Sequence, residues 1–185
     1  MMRMIIILGV PGVGKSTVIK PLAEAKGYRM LNYGDMMFEI ASKEFGVDHR
    51  DKIRALPKEK QFEIQEKVAL VLAKEKGKVI LDTHCSIQTP QGYLPGLPKK
   101  LLEKLPVTGL VYVTAPVEEI IDRRKKDFEA TGRVRPTEPK AILEHEGVNR
   151  ELLSAYAFFC GVPAMIIENR NGKLEEAREK VSAIL

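Results

Sequence analysis

The segment Gly9-Val10-Pro11-Gly12-Val13-Gly14-Lys15-Ser16 sets a lysine and a hydroxyl directly behind a run of glycines. It fits G-x-x-x-x-G-K-[ST] at every fixed position. Glycines allow successive backbone N–H groups to turn inward into a concave anion nest. A helix opening near Lys15 adds its positive dipole end at the same spot. Lys15 supplies a point charge for β- and γ-phosphates. The Ser16 hydroxyl suits a Mg²⁺ ion carried by a nucleotide, and Thr17 follows it. The glycine spacing does not supply the G-x-G-x-x-G of a dinucleotide site.

Further carboxylates and arginines fit the same chemistry. Asp82 ends the run Val79-Ile80-Leu81-Asp82, and open α/β sheets bind ligands at the carboxyl ends of their strands. A carboxylate there can hold Mg²⁺, often through its waters. Asp35, after Tyr33-Gly34, reads as a helix N-cap whose turn faces a second substrate. Phosphoryl transfer spreads negative charge over the moving group, and arginine grips phosphate bidentately. Arg50 and Arg54 fall in the polar segment 47–57. Arg123, Arg124, Arg133 and Arg135 flank or occupy another, and Arg150 follows Asn149.

These groups need a scaffold. Met4 to Leu8 is a continuous apolar run, predicting a parallel strand buried on both faces. Further strands are predicted at Tyr28–Asn32, Val79–Leu81, Leu110–Val113 and Ala164–Ile167. Helical patterns run over 15–26, 35–45, 59–76, 117–126, 140–159 and 174–184. Strands alternating with helices predict a doubly wound parallel sheet. The polar segment 47–57 reads as a loop or mobile flap. The stretch 84–98, with three prolines and two glycines, reads as an irregular loop, and the charged 127–139 as a flexible lid.

Composition narrows the class. Hydrophobic residues are 44% of the 185, enough for a sizeable core, and the net charge is +5. That excess fits a pocket for several phosphates, and no basic tail points to nucleic acid. Cys85 and Cys160 have no metal-ligand spacing and read as free thiols of a reducing compartment. No apolar run approaches the ~20 residues of a membrane span. The chain reads as cytoplasmic.

Across nearly its whole length the sequence resembles the adenylate kinase family, most closely its archaeal branch. The resemblance rests on GVPGVGKST, NYGDMMFEIA, DKIRALP, LDTHCSIQTPQGYLPGLP, RRKKDFEATGRVRPTE and EHEGVNRE. It implies a P-loop NTPase fold of α/β class: a five-stranded parallel sheet flanked by helices, in one domain over 1–185, with an AMP flap (roughly 33–76) and a short lid (roughly 124–138). It implies Mg²⁺-dependent transfer between ATP and AMP, giving two ADP. Arg54 would hold the AMP phosphate, and Gly34 and Asp35 would form the AMP turn. Thr83 and His84 would lie near the AMP path, and Gly92 to Leu97 near its adenine. Arg124, Arg133, Arg135 and Arg150 would line the phosphates between the nucleotides. Asn169 to Gly172 would lie near the adenine of ATP. The archaeal branch implies a homo-oligomer, often a trimer. Phe38 stands where bacterial members carry an arginine, and their GFPR segment gives way here to the DTH stretch. Two other readings share these motifs: a kinase for CMP or UMP, and a nucleotide-switched ribosome-assembly factor.

Overall fold

The computed structural model describes residues 3–89, 92–132 and 134–185, apart from the side chains of Asp51 and Arg54. The apolar run forms β1 (Arg3–Leu8), with every residue from Met4 to Leu8 buried. Period-two alternation sends its side chains to two layers. Met4, Ile6 and Leu8 join one apolar cluster with Val79, Leu81 and Tyr112. Ile5 and Ile7 join the other with Ile80, Val111 and Val113.

Helix α1 (Lys15–Ala25) follows, then β2 (Arg29–Asn32) and α2 (Tyr33–Phe45). A 3-10 turn (Arg50–Ala55) leads to α3 (Lys58–Leu72) and β3 (Lys78–Asp82). Next come β4 (Ser86–Thr89), β5 (Gly92–Pro95) and the short α4 (Lys99–Leu102). The chain continues through β6 (Val107–Thr114), α5 (Val117–Thr131), α6 (Pro139–Cys160), β7 (Ala164–Glu168) and α7 (Leu174–Ser182). The main sheet has the order β2-β3-β1-β6-β7, and every pair in it is parallel. Helices α2, α3 and α6 supply apolar residues to the first layer. Helices α1, α5 and α7 supply them to the second. The predicted α/β sheet of five parallel strands is therefore present.

Three local expectations are corrected. The stretch 84–98 is not irregular throughout: β4 and β5 pair as an antiparallel ribbon, Ser86 opposite Pro95 and Thr89 opposite Gly92. Proline is tolerated there because Pro95 sits at a strand end, where a lost N–H costs no ladder bond. Helix α5 runs past 126 to Thr131 and stops at Gly132, whose left-handed φ of 70° closes it. Much of the expected lid is thus helix. Helix α3 ends at Leu72 and not at 76, because the chain turns through Gly77 (φ 77°) into β3.

Candidate active site

The loop after β1 enters α1 with no side-chain cap. Gly14 is the N-cap, in left-handed conformation with φ 82°. A Cβ there would lie 2.5 Å from Asn169 Nδ2, so glycine is required by space as well as by dihedral. The first N–H groups of α1 are left for an anion. Lys15 Nζ donates to Gly9 O at 3.0 Å and Thr83 O at 3.1 Å. Ser16 and Thr17 are exposed on the first turn of α1.

Two side chains pin the loop from outside. Asn169 Nδ2 donates to the Val13 carbonyl at 2.8 Å. The Arg123 guanidinium donates to the same carbonyl at 3.2 Å, and to Asn169 O, Asn171 Oδ1 and Glu119 Oε2. Asn169, expected near a nucleotide base, thus supports the loop backbone from just beyond β7. Arg123 belongs to the same support.

Positive charge gathers around Lys15. Burial pushes its ammonium below the ordinary value; Asp82 opposes this, while Arg135 and Arg50 reinforce it. Arg124 is buried, and its Nε donates to Pro11 O at 2.9 Å. Its second donor reaches Pro136 O, in the segment between α5 and α6, at 2.5 Å. Burial first, and Arg135 second, weaken the hold of Arg124 on its proton. Arg135 pairs with Asp127. Arg150 is exposed on α6. Arg133 and the side chain of Arg54 lie outside the described residues.

On the β2 side the cap of α2 is Asn32 and not Asp35, because the helix opens two residues earlier, at Tyr33; Asn32 Oδ1 accepts from Asp35 N–H at 3.1 Å. Arg50 donates to that same oxygen at 3.1 Å and to Asp35 Oδ1 at 2.7 Å. The guanidinium lies so close to Gly34 that a Cβ there would be 1.6 Å from Arg50 Nη2. Asn32 Nδ2 donates to Asp82 Oδ2 at 3.2 Å. The other oxygen, Oδ1, is 3.4 Å from Lys15 Nζ, an ion pair whose geometry leaves this buried atom with no hydrogen bond.

That orphaned carboxylate oxygen beside Lys15 fits a hard cation. Mg²⁺ prefers one or two carboxylates, with water and substrate phosphates completing its shell. Among the described residues no group of three or more His, Cys, Asp or Glu could cage a metal. Asp82 and the exposed Ser16 hydroxyl are oxygen donors of the kind such an ion takes.

Of the remaining expected residues, Thr83 and His84 lie between β3 and β4, Gly92 opens β5 and Leu97 follows it. Thr83 is buried, and its N–H donates to Ile7 O at 3.0 Å. His84 Nδ1 is 3.4 Å from Gly9 O. Gly92 is exposed at the ribbon turn. Leu97 is buried in the core, its N–H donating to Tyr156 Oη at 3.2 Å. Beneath the ribbon runs a buried polar network. Glu146 accepts from Tyr112 Oη at 2.8 Å and Thr114 Oγ1 at 2.6 Å, and Ser86 Oγ bonds Asn149 Oδ1. Sequence spacing marked neither Asn32 nor Glu146. Asn32 could have been found as the capping residue three before Asp35. Glu146 looks like any helical surface charge until the sheet lies against it.

The fold and the phosphate loop define a P-loop nucleotide-binding protein. Comparison with known proteins narrows this. The family described as "AAA domain" matches residues 8–142. An adenylate kinase from Methanopyrus kandleri is 48% identical over 185 aligned residues, covering 97% of this chain and 96% of its own. The adenylate kinase of Methanocaldococcus jannaschii is 40% identical, covering 99% of this chain and 98% of its own. Among solved structures, a shikimate kinase from Acinetobacter baumannii in complex with shikimate superposes with TM-score 0.62 at 18% identity, covering 98% and 92% of the two chains. That likeness shows the shared fold. The chain belongs to the adenylate kinase family.

Proposed function

We propose that this enzyme transfers the γ-phosphoryl group of ATP to AMP, reversibly and in line, giving two ADP. The observation that supports the reading is the glycine loop at the uncapped N-terminus of α1, with Lys15 bonded to Gly9 O and Arg124 packed on Gly12 and bonded to Pro11 O. These and the neighbouring Arg50 and Arg135 are held by carboxylates or carbonyls, acceptors that a polyanion can replace. The loop Gly9, Gly12, Val13 and Gly14, with Lys15, Ser16 and Thr17, cradles the ATP phosphates. Arg133 and Asn169 complete that side, Asn169 by holding the loop. Lys15, Arg124, Arg135 and Arg150 neutralise charge as it develops on the moving group. Mg²⁺, held through Ser16 and Asp82, would neutralise charge on the phosphate oxygens when bound with the nucleotide.

Arg54 takes the AMP phosphate, with Gly34 and Asp35 in the acceptor turn. Thr83 and His84 lie along the acceptor path, and Gly92 to Leu97 toward its base. An AMP phosphate oxygen attacks the γ-phosphorus. The new P–O bond forms as the bond to the β-bridging oxygen breaks, and ADP leaves. No general base is needed, because the attacking oxygen is already anionic near neutral pH. The whole chain acts as one kinase domain. A flap (roughly 33–76) and a lid (roughly 124–138) close over the substrates and exclude water.

The enzyme works in the cytoplasm. Among the described residues no helix is long and apolar enough to cross a membrane. It works as a homo-oligomer, in this reading a trimer. Support comes from β7, an edge strand on which neighbouring Met165 and Ile166 are both exposed, and from Phe158, 91% exposed just before it. Bare apolar edges of this kind are commonly covered by association.

The test is a coupled assay with Mg-ATP and AMP, CMP or UMP in turn, reading out diphosphate. Strong preference for AMP, lost in Arg54→Ala, is expected. Preference for CMP or UMP would move the acceptor, and slow ATP hydrolysis alone would overturn the transferase reading.

A further inference from the structure

We infer that Asn32 is a positioning residue for the Asp82 carboxylate, and that it ties that carboxylate to the acceptor side of the site. The inference rests on the reading of Asp82 as the metal-binding carboxylate. Asn32 and Asp82 are direct partners in the β2–β3 register, at the carboxyl ends of both strands. The amide of Asn32 has only one orientation that satisfies its neighbours. Its Oδ1 accepts twice, from Asp35 N–H at 3.1 Å and from Arg50 at 3.1 Å. Both lone pairs are then used. Nδ2 is left to face Asp82, and it donates to Oδ2 at 3.2 Å. A flipped amide would set a carbonyl oxygen against a carboxylate and its NH₂ against two donors.

That bond fixes which oxygen of Asp82 is free. With Oδ2 held by Asn32, Oδ1 is the atom left buried, unbonded and beside Lys15. Residues that orient a ligating carboxylate commonly tune metal affinity strongly. Asn32 also reaches across the site. Through Arg50 and Asp35 the same amide is joined to the first turn of α2, which carries the acceptor turn. Metal carboxylate and acceptor turn are therefore held as one unit by a single side chain.

Two variants separate this role from helix capping. Asn32→Ser keeps a good N-cap but is too short to reach Asp82. Asn32→Thr likewise keeps a hydroxyl acceptor for the cap, adds no charge beside Asp82 and has no second polar atom to reach its carboxylate. For each, calorimetry measures ATP binding with and without Mg²⁺, and turnover is followed against Mg²⁺ concentration. The expected result is a rise of about tenfold or more in half-saturating Mg²⁺. The affinity gain that Mg²⁺ gives ATP should shrink to match, while metal-free ATP binding and the helical circular dichroism stay as in the parent. Asp82→Asn, run alongside, should abolish the gain. If Asp82→Asn abolishes it and both Asn32 variants keep it, the role of Asn32 is overturned and the reading of Asp82 stands. If Asp82→Asn itself keeps the gain, the metal assignment fails and this inference fails with it.

Discussion

Asn169 holds Val13 from just beyond the edge strand of the sheet: its Nδ2 donates to the Val13 carbonyl at 2.8 Å, and its own N–H is anchored to Thr114 O at 2.8 Å. A residue after β7 thereby fixes the crest of a loop that follows β1. Asn169→Ala should raise the KM for ATP severalfold, with kcat falling less. It should cost about 1 kcal/mol of stability for the lost hydrogen bond. Steady-state kinetics and urea unfolding check both. An unchanged KM would show that Arg123 alone suffices to hold the loop.

Gly34 and Arg50 make a second pair. A methyl at Gly34 would occupy the space of the Arg50 guanidinium, which can yield because it ends a flexible side chain. Gly34→Ala should therefore displace Arg50 from Asp35 and Asn32 without unfolding α2. The expected outcome is a severalfold rise in the KM for AMP, reproduced by Arg50→Ala. The double variant should be no worse than either single, because both remove the same contacts. Additive effects in that cycle would mean Gly34 acts independently of Arg50.

Glu146 tests the buried network. It is a buried carboxylate that accepts two hydroxyl hydrogen bonds. Glu146→Ala takes the acceptor from the Tyr112 and Thr114 hydroxyls, leaving Tyr112 Oη only the Asn149 Nδ2 donor at 3.3 Å, and should cost about 2 kcal/mol in urea unfolding. Glu146→Gln should cost less, since one amide oxygen remains and the hydroxyls can rotate to accept from its NH₂.

Cys85 predicts a pH response. Burial pushes its thiol up to about 12, and Sγ donates to Asn149 O at 3.2 Å. A disulfide reagent at neutral pH should modify the half-buried Cys160 and reach Cys85 only after denaturation. The linkage follows from the sign of the shift. The folded chain holds the Cys85 proton more tightly than the unfolded chain, whose thiol titrates near 9.0. The contribution to stability is full below that pH and is lost as pH rises toward about 12. Urea midpoints at pH 8 and pH 10.5 should fall further for the parent than for Cys85→Ala. Equal falls would remove Cys85 as a source of alkaline lability.

Much of this was legible in the sequence. The run Met4 to Leu8 could only be a strand buried on both faces, and the glycine-lysine loop behind it carries its chemistry in its spacing. The position of Asp82 was legible because it ends the apolar run that forms β3, at the carboxyl edge of a parallel sheet. The ribbon Ser86–Thr89 and Gly92–Pro95 was obscured by its prolines, which lower strand propensity although one sits harmlessly at a strand end. Asn32 and Glu146 were hidden for a different reason. Their partners, Asp82 and Tyr112, are 50 and 34 residues away, and only the strand order brings them together.

Arg124 spends its charge on two peptide carbonyls, those of Pro11 and Pro136. Carbonyl dipoles hold a guanidinium less firmly than a phosphate does, and one donor cannot serve both sets of acceptors fully. In the phosphate-binding role proposed for Arg124, nucleotide entry is a trade rather than an addition, in which the side chain exchanges weak acceptors for strong ones. Departure of product runs the trade backwards, with Pro11 and Pro136 standing ready to take the guanidinium back.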